Sequence, residues 1–241
     1  MAIKKQQIEI GEIKIDVYYK EIKNIHLSVH PPAGRVRIAS PLKFPLDTLR
    51  VFAISKLSWI RKQQLKIRSQ EREALREYLT RETHYYLGKR YLLNIIVIRT
   101  KPKVLLKHST IDLFVKEKST ILQRKTLLEK WYRERLKELI PGYIKSWEKI
   151  LGVKVNEFGI KKMRTRWGTC NTRSGRIWIN LELAKKPSEC LEYIIVHEMI
   201  HLLERTHNKK FVALMNRHLP KWKDYKKELN GFPLIHQEWV Y

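Results

Sequence analysis

The chain has 241 residues, 43% of them hydrophobic and 31% charged, enough apolar content for one large or two small cores and too much for wholesale disorder. Lysine and arginine number 50 against 24 acidic residues, a formal net charge of +26, which favours sequence-blind contact with a polyanion and says nothing about fold. No apolar run reaches the twenty or so residues of a membrane span, Met1–Lys20 has no apolar signal core, and Cys170 and Cys190 form no CxxC pair, so a cytoplasmic protein without a disulfide framework or a cysteine-based zinc site is expected.

In chain order, residues 6–18 alternate apolar and polar through Ile8, Ile10, Ile13, Ile15 and Val17, the pattern of a half-buried strand. Short strands follow at Ile25–His30 and Arg35–Ala39, joined by a turn with Pro31, Pro32 and Gly34. A helix is expected from Leu46 to about Tyr78, with Leu49, Phe52, Ala53, Leu57 and Ile60 on one face and Arg50, Lys56, Arg61, Lys62, Lys66 and Arg68 elsewhere. Gly88-Lys89 marks a hairpin, and strands are expected at Val104–Lys107 and Ile111–Val115. Helical spacing then runs from Ser119 to Pro141-Gly142, and a second helix spans Tyr143–Leu151. Strands at Lys154–Arg164 and Arg176–Leu181 bracket a loop with Asn171 and Gly175; helices at Ser188–Glu204, Asn208–Arg217 and beyond Pro220 complete the chain. The reading is α+β, divided near residue 118 into a strand-rich region 1–118 with one long basic helix and a region 119–241 that carries the chemistry. There is no sequence repeat, Gly/Ser linker or low-complexity tract.

The chemistry is concentrated in His197-Glu198-Met199-Ile200-His201. Four residues are just over one helical turn, so both imidazoles leave the same face and can reach one Zn²⁺. Glu198, one residue on, can lean towards a metal-bound water whose pKa the metal lowers, and take its proton. HExxH alone arises by chance in about 3 of 100 such chains. Here it sits among Ile194, Ile195, Met199, Ile200, Leu202 and Leu203, where buried imidazoles and a carboxylate need partners. His207 is six residues beyond His201, so the helix must break for it to join; Thr206 and Asn208 are suitable caps for a new helix. His207 is favoured as third ligand, with Glu228 and then Glu204 as rivals.

The residues from about Met163 to Leu229 resemble the YgjP-like metallopeptidases, relatives of the SprT-like and WLM zinc proteases. The likeness is carried by Arg166-Trp167-Gly168-Thr169-Cys170, Ile177–Asn180, Tyr193–His201, His207, Phe211, and Leu219-Pro220 ahead of Tyr225, with further support from the N-terminal strands and Trp59-Ile60. Thr169 stands where the family often has Ser and Val212 where an aromatic is common. The resemblance implies a zincin-like catalytic domain with three His ligands and a Glu base.

Arg166 and Trp167 precede the strand beside the active-site helix, where an extended peptide would add to a sheet edge, and are candidate substrate-binding residues. Tyr143, Tyr193, Arg166, His218 and Tyr225 are all eligible to stabilise an oxyanion. His26, His30, His84, His108 and His236 are expected at surfaces or turns. The first function expected is a zinc metallopeptidase acting on peptide or protein. The alternative is a nucleic-acid-binding protein, or a DNA-associated protease, with the zinc site structural or regulatory. In that case the 46–78 helix and Lys125–Arg135, with Trp131-Tyr132-Arg133, would be the contact surface.

Overall fold

The computed structural model describes residues 5–30, 33–69, 76–163 and 166–231. Arg164, His236, the Lys66 side chain and positions 70–75 of the expected long helix lie outside the described residues. The chain divides into two compact units near residue 75; position 118, where the sequence suggests a boundary, falls inside the second. Among the described residues no helix is long and apolar enough to cross a membrane.

The first unit contains β1 (Lys5–Ile10), β2 (Ile13–Lys20), β3 (His26–His30), β4 (Arg35–Pro41), α1 (Leu46–Ser55) and α2 (Leu57–Ser69). The single strand expected over 6–18 is a hairpin. The apolar positions shift from even to odd numbers across Gly11, whose φ of 56° makes the turn. The sheet order is β1-β2-β4-β3, with β2 and β4 parallel and the other pairs antiparallel. Ile15, Val17, Val36 and Ile38 bury the sheet's inner face together with Leu49, Ala53 and Ile60 of the helices. The expected helix over 46–78 is broken at Lys56, and residues 76–79 are not helical; Tyr78 has a φ of 56°.

The second unit begins with β5 (Thr83–Tyr86), β6 (Lys89–Val97), β7 (Lys103–Leu106) and β8 (Thr110–Val115), in the order β5-β6-β8-β7 with β6 and β8 parallel. The two four-stranded sheets thus share one strand order, a repetition of topology with no counterpart in the sequence. At the entrance to β5, Glu82 Oε2 accepts the backbone amides of Glu77, Tyr78 and Leu79, and Oε1 lies 3.5 Å from Arg76 and 3.1 Å from His84 Nε2. His84, expected at a surface, is buried here.

A single helix, α3 (Ile121–Leu151), replaces the two expected on either side of Pro141-Gly142. Thr120 and Gln123 form a reciprocal cap at its start, and Gly152 closes it in the left-handed conformation. Leu128, Tyr132, Leu136, Ile140, Ile144, Trp147 and Leu151 form one buried stripe along it. Burial along that stripe outweighs the roughly 3 kcal/mol that an interior proline costs. Tyr132 donates to the Tyr85 carbonyl, and Trp131 packs against Tyr86.

The last part comprises β9 (Glu157–Lys161), β10 (Gly168–Asn171), β11 (Arg176–Asn180), α4 (Ser188–Ile200), α5 (Lys209–His218) and α6 (Trp222–Gly231). β10 lies in the segment expected to be loop, at the edge of a three-stranded sheet ordered β10-β11-β9. α4 ends four residues before the expected Glu204, with His201 as its C-cap.

Candidate active site

α4 is buried nearly all round: Leu191, Tyr193, Ile194, Ile195, Val196, Met199 and Ile200 leave it no solvated stripe. His197 and Glu198 are therefore polar groups on a core helix. The early end of α4 frees the chain to turn back. The 201–207 segment makes the return, and the Asn208 side chain accepts the Phe211 amide to start α5. That break brings His207 to the other two rings.

Nitrogens of His197, His201 and His207 lie within 4.8 Å of one another. His207 Nε2 is 3.0 Å from His197 Nε2, close to the about 3.3 Å between two nitrogens bound tetrahedrally to one zinc. Phe211 packs against all three rings, with centroids 4.7 to 5.0 Å away. His201 Nδ1 is 3.1 Å from the Glu204 carbonyl, a contact that turns Nε2 towards the centre as an acceptor. Burial foremost, then the charges of His201, His207 and Lys226, lowers the His197 pKa to about 3; burial also lowers that of His201. Neutral imidazoles are the form that binds a metal. The buried His197 Nδ1 has no protein partner among the described residues. These donors fit a divalent ion.

The rival third ligands are engaged elsewhere. Glu228 lies against the Cys190 thiol, while the Glu204 side chain accepts from Thr206. Both cysteines are free, with thiol pKa values raised by burial to about 11 for Cys170 and about 12 for Cys190.

Glu198 is 5% exposed; burial pushes its pKa up to about 8, opposed by the Arg166 guanidinium. Its carboxyl lies against the first residue of β10. A Cβ at Gly168 would fall 2.6 Å from Glu198 Oε1, so only glycine lets strand and carboxyl approach this closely. Asn180 fixes the approach to that strand. Its side-chain amide donates to the carbonyls of Met163 and Arg166, and its backbone amide donates to that of Trp167.

The cleft over these groups has a volume of about 640 Å³. Arg166 and Trp167, the expected substrate-binding residues, both line it, and Trp167 also packs on the core. Of the oxyanion candidates, Tyr193 and Arg166 are in its wall; Tyr143, His218 and Tyr225 are not. Arg205 and Lys226 also line it, and the sequence carried no signal for either among so many cations.

A family model described as YgjP-like, metallopeptidase domain, matches residues 23–232. The chain belongs to this family. The YgjP-like assignment makes it a metallopeptidase, a hydrolase whose chemistry implies a metal, and the histidine cluster can hold one. The match begins within the first compact unit and extends to the end of α6. No curated protein matches the chain. Among solved structures, the metallopeptidase zymogen abylysin of Pyrococcus abyssi is similar at 19% identity over 37% of this chain and 90% of that one, with a TM-score of 0.35, a likeness too slight to support anything further.

Proposed function

We propose that this YgjP-like protein is a zinc-dependent peptidase in which His197, His201 and His207 hold the ion and Glu198 is the general base. The observation that carries this reading is the convergence of three imidazoles on one spot beside one buried carboxyl. Zinc bound there would act as a Lewis acid and lower the pKa of a water in its open position. Glu198 takes the proton of the attacking water and returns it to the leaving amine. The outer edge of β10 receives the substrate as an added strand. Arg166 and Tyr193 are the groups placed to steady negative charge on the peptide oxygen.

Metal analysis and peptide turnover test this together. Glu198→Gln is expected to retain one zinc per chain and lose turnover by on the order of 1,000-fold, whereas His207→Ala is expected to lose the metal. Full activity in Glu198→Gln would remove the base from the mechanism, and full zinc in His207→Ala would remove the third ligand.

The net charge of +26 supports a second reading, that the chain also binds nucleic acid. Arg50 on α1, Lys56 between the two helices, and Arg61, Lys62 and Arg68 on α2 are all exposed. Binding of an oligonucleotide that weakens steeply with salt is the expected result; no binding at low salt would refute it.

A further inference from the structure

Besides Arg166, the cleft wall carries two cations to which hydrolysis assigns no role. Arg166, at the entrance to β10, Arg205, on the turn between α4 and His207, and Lys226, on α6, all stand in its wall. All three are exposed, and none makes an ion pair among the described residues. Elsewhere the chain matches cations to its scarce acids: Lys107 with Asp112, Lys162 with Glu129, Lys185 with Glu182 and Arg176 with Glu157. Among the described residues the one carboxyl in the cleft wall is Glu198, and it is buried. Arg205 and Lys226 thus face the space a substrate would enter with no ion-paired acid among the described residues.

We infer that the cleft selects peptide segments carrying carboxylates beside the scissile bond, with Arg205 and Lys226 as specificity-determining residues. The inference rests on the peptidase reading. An anionic side chain on either side of the bond meets an oppositely charged side chain in the cleft wall, a charge-assisted contact that favours it over a neutral one. A lysine-bearing segment meets three like charges instead, so the same wall rejects as well as selects.

The test uses the full chain loaded with zinc and a matched set of peptides. One has neutral side chains, one has Glu on both sides of the central bond, one has Lys there, and each is made with a free and an amidated C-terminus. Wild-type protein is expected to favour the Glu peptide over the neutral one by about tenfold in kcat/KM at low salt. That ratio should shrink as salt rises. An equal preference for any free over amidated C-terminus would assign the cations to a terminal carboxylate instead of a side chain, and overturn the side-chain assignment. The double variant Arg205→Gln/Lys226→Gln should bring the Glu-to-neutral ratio near one, and Arg205→Glu should raise cleavage of the Lys peptide relative to the Glu peptide. Zinc content confirms that each variant is folded at the site. Wild-type cleavage of all three peptides at equal rates, or binding of an oligonucleotide through Arg205 and Lys226 with no peptide preference, would overturn the inference and leave the peptidase reading standing. Absence of any Glu198-dependent cleavage would instead sink the peptidase reading.

Discussion

His84 is buried and His197 half-buried, and burial lowers the pKa of each to about 3, yet they sit in different kinds of place. His84 faces one carboxylate, Glu82, whose other oxygen is filled by three backbone amides. His197 faces two more imidazoles, with the Glu198 carboxyl one residue along the helix. Burial of a polar side chain is therefore no mark of chemistry by itself; at β5 it ties down a chain reversal. What distinguishes the cleft is that several donors point at one spot while the surrounding backbone gives way to them.

Three substitutions sharpen that contrast, in descending order of expected effect. Gly168→Ala places a methyl against the Glu198 carboxyl and is expected to lower kcat by about 100-fold through displacement of the base, with zinc content and KM little changed. Unaltered kcat would mean that strand and carboxyl are not mutually fitted. Asn180→Ala removes the amide that holds the carbonyls of Met163 and Arg166. It should cost about 1–3 kcal/mol in denaturant unfolding and reduce activity by mispositioning Gly168; a loss of stability with full activity would confine Asn180 to a structural role.

The third concerns the β5 region. The Glu82 carboxylate favours a charged His84, but it is already engaged by the amides and by Arg76, and burial with the charges of Arg76 and Lys185 dominates. The folded pKa lies below the unfolded 6.5, so the unfolded chain binds the extra proton between about 3 and 6.5. This contribution is fully present above pH 6.5 and is lost as pH falls below it. Between pH 7.5 and 5.5 the decline should be shallower in His84→Gln than in wild type, by on the order of 1 kcal/mol. Parallel curves would show that folding leaves the His84 pKa unshifted, and a steeper decline in His84→Gln would show a charged His84 paired with Glu82.

The donor set of the site was legible in the sequence because helical periodicity puts His197 and His201 on one face and because an Asn at 208 can start a new helix. The supporting backbone was not. Gly168 is one of nine glycines, and nothing local says that a carboxyl from another element will press against it. β10 escaped notice because four residues beside a turn carry little periodicity. Pro141 misled for a different reason: local rules break a helix there, whereas the buried stripe from Leu128 to Leu151 holds it straight through. The hairpin at Gly11 was written in the change of phase of the alternation, a signal that composition alone hides.

The strand order shared by the two four-stranded sheets bears on how each is assembled. In both, two locally formed hairpins meet along one parallel seam, Ile15–Lys20 with Val36–Pro41 and Leu92–Val97 with Thr110–Val115. Neighbouring strands on either side of that seam close from short loops at small entropic cost, so the demanding step is the docking of two halves already in register. Slow phases in refolding should therefore report on the seam residues Val17 and Ile38, or Leu93 and Ile111, and be insensitive to changes in the hairpin turns.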